Sequence, residues 1–487
     1  MSDLLGIGKT GLAVSKKALE TTSHNISNAN TDGYSRQRVV QTTNLPIMRG
    51  GHLMGSGARI KTIERIEEQN LENRLQANIN GNHTAKERLL QLEQVEGILN
   101  ENENEGLNQI FAKFFNAFKD LSNQPENETI RSVVRDSANL AVSDIRRIRG
   151  SLDNLATNID KKLDSSITDV NQILNSIAAL NKKIASLESL GDMTGDFRDQ
   201  RDSAIRALSE YVKVHTYFDN KNHFNVDAVG IGTLVSAGHV AELQIKPLNK
   251  DDSPNQMGGA YAIVFKDKSS LDISSKFKVG KLGSLIKVRD EDIFQLQKEI
   301  DSIAFNFSNA VNSIHKQGYI NKPLTLDPET GTYSSKDGKP VTEINFFKPV
   351  DQVQNAANYI TLSEEVNSDL SNIASALVPN SPGDNRISIA ISKLGQAKIM
   401  NDGTTTLEEA YLKSIGRVGV QTGKTRLDLD HEEALMAQTK SLKERITGVS
   451  IDEEAANLVR YQHAYEASAK VLKTAEEMFQ TVIDIKR

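Results

Sequence analysis

The chain has 487 residues, 38% hydrophobic and 5% aromatic, with neither tryptophan nor cysteine. That length predicts about three domains at ~150 residues each, and the low apolar content predicts layered helices more than one large core. The 58 basic and 64 acidic residues give a net charge of −6, so electrostatics offers no case for nucleic acid. The missing cysteine excludes disulfides, thiolate metal sites and a cysteine nucleophile. No run of roughly 18 or more apolar residues occurs, so no segment is expected to insert in a membrane. Lys16, Lys17, Glu20 and His24 interrupt the opening stretch, which argues against a cleaved secretory signal.

From the start, Leu5, Leu12, Leu19 and Ile26 recur every seven residues and predict a helix over about 4–27. It ends in the cluster Asn28 to Gly33. Pro46, Gly50–Gly51 and Gly55–Gly57 then mark 34–60 as extended or loop. Helical pattern resumes near Ile63 and runs past a turn at Asn80–Gly81 toward Asn100.

Between Ile145 and Leu187, apolar residues follow one another in steps of three or four, averaging about 3.5, the coiled-coil value. Such a seam runs roughly 60 Å at ~1.5 Å per residue. It fits either a long helix within one subunit's bundle or a direct partner seam. A helical block over 196–214 gives way to short β-prone runs from Val212 to Phe265, broken by glycines and the loop Asp251–Asp252–Ser253–Pro254–Asn255. Helix returns over 290–315, with Ile293, Leu296, Ile300, Ile303, Phe307 and Val311 on one face. A mixed region follows, with turns at Asp327–Gly331 and Asp337–Gly338.

From about 407 to the end the pattern is helical, broken at Thr447–Gly448. There Ile451, Ala455, Leu458, Tyr465, Ala469, Leu472, Phe479 and Ile483 form a second apolar seam. The fold class expected is mainly α with β-rich inserts (α+β): long helical bundle or coiled-coil layers formed by both chain ends, closed antiparallel, with a β-rich outer domain. The expected units are a terminal helical assembly domain (1–60 with 446–487), a helical bundle (61–212 with 281–320 and 404–445), a β-rich insert (213–280) and a mixed α/β outer region (321–403).

Motifs that carry chemistry are weak. Gly6-Ile7-Gly8-Lys9-Thr10-Gly11 spells a dinucleotide fingerprint, but only five residues precede it and no βαβ unit follows. Small residues that let helices pack closely account for it better. Asp428, Asp430, Glu432 and Glu433 around His431 lack calcium-loop spacing and suit a helix N-terminus, where the dipole favours negative charge. The nine histidines form no i, i+4 pair, and no G-x-S-x-G occurs. No catalytic residue, metal or cofactor is expected.

Thr21-Thr22-Ser23-His24-Asn25-Ile26-Ser27-Asn28-Ala29-Asn30-Thr31-Asp32-Gly33-Tyr34-Ser35-Arg36-Gln37 closely resembles the amino-terminal signature of bacterial flagellar axial proteins. Its ending, Gly33-Tyr34-Ser35-Arg36-Gln37, is similar to the FlgK family of hook-associated proteins more than to rod or hook subunits. Asp32 departs from the proline common there, and a turn tolerates either. Asp196–Asp202, Gly280–Leu285, Asn312–Tyr319 and Gly448–Ala467 resemble further blocks of that family, in colinear order.

The resemblance implies a structural junction protein without enzymatic activity, placed between the hook and the filament side of the extracellular flagellum. It implies export through the flagellar type III apparatus without a cleaved signal. Implied partners are the flagellar hook protein, hook-associated protein 3, further copies of the chain in a ring, and an export chaperone at the C-terminal helix. The assembly interface is expected at Leu5, Leu12, Leu19, Ile26, Ile451, Leu458, Tyr465, Leu472, Phe479 and Ile483, ordering as subunits join. The motif residues are Asn25, Asn28, Asn30, Gly33, Tyr34 and Arg36, with the asparagines bonding backbone groups at the turn and Gly33 supplying a positive φ. A rod or hook subunit is the alternative within this group; a nucleotide-binding enzyme is the alternative of another class.

Overall fold

The computed structural model describes residues 2–49, 52–99, 106–247, 261–328, 331–335 and 340–485. The glycine pair 50–51, the loop 251–255 and the turn residues 329–330 and 337–338 lie outside the described residues.

The fold is mainly α with β-rich inserts, built from the ends inward. Helix α1 (Ser2–Ser27) leads to strand β1 (Gln37–Thr43), a hairpin of β2 (Ile47–Arg49) and β3 (His52–Met54), and β4 (Ala58–Arg65). β1 and β4 pair antiparallel with a bulge at Val40/Gln41. The segment expected as a loop is therefore a two-stranded ribbon, and helix begins at Gln69 rather than Ile63. In β4, half-buried Ala58 and Ile60 alternate with exposed Arg59 and Lys61, and after the bulge half-buried Ile63 and Arg65 flank exposed Glu64; this period of two wins over the helical reading.

Helix α2 (Gln69–Leu99) runs unbroken through Asn80–Gly81. Both residues serve packing instead of a turn. Asn80 is buried and its Nδ2 donates to Ser209 O at 2.8 Å, while a Cβ on Gly81 would lie 2.5 Å from Glu432 Oε2. Helices α3 (Leu107–Asn123), α4 (Glu128–Ser189) and α5 (Gly195–Tyr211) follow. Asn127 caps α4 by accepting from Thr129 N at 3.0 Å. At 62 residues α4 spans roughly 90 Å. Its seam is filled within the chain, by α3, α5 and later elements, so the direct partner seam is not used there.

Strands β5 (Val214–Phe218), β6 (Phe224–Ala228), β7 (Gly232–Ser236) and β8 (His239–Val240) form one antiparallel sheet in sequence order. Strands β9 (Leu243–Pro247), β10 (Tyr261–Phe265) and β11 (Lys268–Asp272) form a second, with β10 central. α4 anchors both. Asn171 brackets Leu243, accepting from its N–H at 2.9 Å and donating to its carbonyl at 2.7 Å. Asn181 donates to Ala237 O at 2.9 Å. Arg201 stacks 3.6 Å from the Phe224 ring centre, and its burial pulls the guanidinium down to about 10.

Helices α6 (Gly280–Lys287) and α7 (Phe294–His315) join through a π-helical stretch, Val288–Ile293. The predicted face of α7 enters the core, where Phe114, Phe115, Phe118, Phe307, Phe346 and Phe347 pack edge to face or tilted. The hairpin β12 (Leu324–Leu326) and β13 (Tyr333–Ser335) precedes short helices α8 (Ala356–Tyr359), α9 (Glu364–Ser368) and α10 (Arg386–Lys393). The fully buried His315 accepts from Ala374 N at 2.9 Å through Nε2, so its Nδ1–H donates to Ile344 O at 2.8 Å. Burial holds this ring neutral and pulls it down to about 4, with Arg131 adding to the effect.

Helix α11 (Leu407–Thr447) starts in a capping box between Thr406 and Glu409. It runs antiparallel to α2: Asn78 Nδ2 donates to Thr439 Oγ1 at 2.8 Å, and Arg426 bonds Glu93 at 2.9 Å. Asp428, Asp430, His431, Glu432 and Glu433 therefore sit in the middle of a continuous helix rather than at an N-terminus, because the cap at Thr406 lies about six turns upstream. Among the described residues, no cluster of acidic, histidine or cysteine side chains suits a metal ion. α12 (Ile451–Ile485) closes the chain, and it packs on α1.

Candidate assembly site at the chain ends

The expected antiparallel closure is present. Gly8 faces Leu472, Gly11 faces Ser468 and Asn25 faces Glu454. The glycines of the apparent nucleotide fingerprint lie inside α1, where Gly8 and Gly11 allow this approach. A Cβ on Gly8 would sit 3.3 Å from Leu472 N, and one on Gly11 2.9 Å from Ser468 Oγ.

What the pair buries is small or polar: Val14, Ser15, Ala18, Thr21, Thr22 and Asn25 from α1, and Glu454 and Ala475 from α12. The large residues flank this contact. Leu5, Leu12, Leu19 and Ile26 are half-buried, as are Leu458, Tyr465 and Leu472. Ile451, Phe479 and Ile483 are exposed. A helix pair that buries its small side chains and leaves its large ones at the margin still has apolar surface to cover.

The motif forms the pair's inner end. Asn25 is 1% exposed and uses its whole hydrogen-bonding capacity. Its Nδ2 donates to Gln37 O at 2.9 Å and Glu454 Oε2 at 3.0 Å. Its Oδ1 accepts from Gln37 N at 3.0 Å and from the Tyr34 hydroxyl at 2.8 Å. Since Tyr34 donates its only proton to Asn25, it accepts from His24 Nδ1 at 3.0 Å. Burial, with Asp196, Asp199 and Glu454 nearby, pushes the Tyr34 phenol well above its usual range and keeps it a donor. Asn28 Nδ2 donates to His24 O at 3.0 Å and closes the last turn of α1. Asn30 is exposed in the following turn. Gly33 has φ +82°, where a Cβ would also meet Arg206 Nη2 at 2.8 Å. Arg36 reaches Glu453 at 2.5 Å, and its N–H donates to Thr447 O at 3.0 Å.

A charged joint ties this end to the bundle. Ser35 N donates to Asp199 Oδ2 at 3.0 Å, and Arg65 bonds Asp199 at 2.8 Å and Asp202 at 2.7 Å. Burial lifts the Asp199 carboxyl above its usual range against the pull of Ser35 and Arg65. Glu72 is half-buried, and against the effect of desolvation Arg206 at 2.9 Å and Lys443 at 2.5 Å hold it below the usual carboxylate range. Sequence reasoning marked the block Asp196–Asp202 but not its partners. Arg65 and Asp199 are 134 positions apart, and no local spacing signals their contact. Glu454 stands beside Asp452 and Glu453 in the first turn of α12, so the sequence does not single it out either.

Comparison with known proteins converges on one group. Residues 92–332 match the flagellar hook-associated protein FlgK helical domain. Residues 445–485 match the flagellar basal body rod FlgEFG protein C-terminal family, and 5–34 the flagella basal body rod protein family. Flagellar hook-associated protein 1 of Bacillus subtilis is 28% identical, over 99% of this chain and 97% of its own length. Its Salmonella typhimurium counterpart is 23% identical over the full length of both. The solved flagellar hook junction protein FlgK of Burkholderia pseudomallei superposes with a TM-score of 0.63 at 15% identity, covering 78% of this chain and all of that one. That likeness bears on the fold.

Proposed function

We propose, on the premise that this chain belongs to the FlgK family of flagellar hook-associated proteins, that it joins the hook to the filament side of the flagellum through its terminal helices. Membership supports a structural role at the hook–filament junction, as in relatives that are flagellar structural proteins and not enzymes. The finer reading assigns polymerisation to the α1–α12 pair. One observation carries it: the pair buries small residues and leaves Ile451, Phe479 and Ile483 exposed, with seven other large seam residues half-covered.

Two helices with so little between them make a marginal unit in water. Each Leu, Ile or Phe fully buried by a neighbouring copy contributes ~1.5–3 kcal/mol, which offsets the entropy of fixing the helices. Order thus arrives with assembly. On this reading 1–60 with 446–487 is the assembly unit. The bundle of 61–212, 281–320 and 404–445 supports it, and 213–280 and 321–403 face outward. The partners are the hook protein, hook-associated protein 3 and further copies in a ring. An export chaperone binds the C-terminal helix before type III secretion, without a cleaved signal, to the extracellular flagellum.

Deleting the gene tests the reading. Electron microscopy should show hooks without filaments, with filament protein lost to the medium. Intact filaments would refute it, and cells lacking hooks would favour a rod or hook subunit.

A further inference from the structure

Two apolar surfaces stay uncovered at one end of the α1–α12 pair. The first is the β2–β3 hairpin. Met48 pairs with Leu53 and Ile47 with Met54, which places an apolar pair on each face of the hairpin. Met48 is 73% exposed and Leu53 72%. A two-stranded hairpin is marginal by itself, and one apolar on both sides needs a cover.

The second surface is the end of α12. Gly8 lies against Leu472 and Asn25 against Glu454. Counting along both helices brings Ser2 level with about Met478, so the stretch beyond runs past α1. It exposes Phe479, Val482, Ile483 and Ile485. The hairpin's base is at this same end, since a Cβ on Gly57 would lie 3.4 Å from Ile7 Cα.

Charge matches the two surfaces. Between Arg38 and Ile63 the ribbon carries Arg38, Arg49, Arg59 and Lys61 and no acid. Between Thr474 and Ile485 the helix carries Glu476, Glu477 and Asp484, and bases resume only at Lys486. We propose that the α12 end of one copy docks on the β2–β3 hairpin of a neighbouring copy of this chain. The proposal rests on the self-assembly reading above. Copies standing side by side in one orientation hold hairpin and helix end at the same level. The contact joins two different patches, the heterologous kind that repeats around a ring. Apolar side chains supply its area, and the opposed charges set its register.

A chain without cysteine makes the test direct. Flagella from cells producing Leu53→Cys and Val482→Cys chains together are oxidised and resolved by non-reducing electrophoresis. Disulfide-linked dimers are expected, and none from either variant alone. Chains that stay monomeric in flagella with normal filaments would overturn the inference while sparing the junction reading. That reading fails separately, if the chain is absent from the junction. A dilute chain carrying both substitutions that links within itself would also overturn it. As a second measurement, Glu476→Lys with Glu477→Lys should weaken self-association of the purified full chain roughly three- to tenfold at low salt. Adding Arg49→Glu and Arg59→Glu should restore it. Unchanged association after the first pair of reversals would count against the docking.

Discussion

α4 and the α1–α12 pair carry the same kind of three-and-four apolar spacing and meet opposite fates. From Ile145 to Ile177 no seam residue of α4 exceeds 5% exposure, because α3, α5, α7, α8 and strands of the two sheets cover that face. α12, with 35 residues, buries only Glu454 and Ala475 among those described. Periodicity therefore tells which face seeks a partner. Whether the partner lies in the same chain depends on how many elements the fold brings within reach.

The largest expected effect would break the comparison outright. Leu12→Asp or Leu472→Asp should abolish incorporation at the junction, read by electron microscopy of flagella, and leave the urea midpoint of the bundle unchanged. A shifted midpoint would mean that the pair and the bundle form one cooperative unit. Next, Phe307→Ala removes a fully buried ring packed on Phe111, Phe114, Phe115 and Phe347 and should cost about 3–5 kcal/mol in chemical denaturation. A comparable loss from Phe479→Ala in the monomer would erase the contrast between the two regions.

Acid should separate them as well. His315 has a folded value of about 4, below its unfolded 6.5, so the unfolded chain binds the extra proton between these limits. Its stabilisation is complete above the unfolded value and is lost as pH falls toward 4, roughly 3 kcal/mol in all. Denaturation from pH 7 to 4 should show this slope, and His315→Asn should flatten it. The smallest effect sharpens the helix contact. Gly6 has open space around it, so Gly6→Ala should stabilise α1 by about 0.5–1 kcal/mol. Gly8→Val drives a branched side chain into Leu472 and should weaken the pairing instead, both read by helicity on thermal melting.

Several features were legible because they are local. The helices of α1, α4, α7, α11 and α12, the break after Thr447 and the Gly33 turn follow from spacing, caps and the one residue that takes a positive φ without strain. Where local signals were ambiguous they misled. Asn80–Gly81 spells a turn, yet it stays within a helix, with Asn80 bonded to Ser209 and Gly81 making room for Glu432. Likewise Ile63 extended a helical pattern backward into a strand.

By itself the sequence determined the long helices α1, α4, α7, α11 and α12, the apolar seams at both ends, and the colinear motifs that resemble the FlgK family. These depend on neighbours a few residues apart, where backbone geometry acts directly. Only the tertiary structure decided that Gly8 and Gly11 are where α1 meets Leu472 and Ser468 of α12. It alone brought Arg65 to Asp199 and Glu454 to Asn25. Such pairings cost loop closure and desolvation that only the assembled fold repays, so no local pattern announces them.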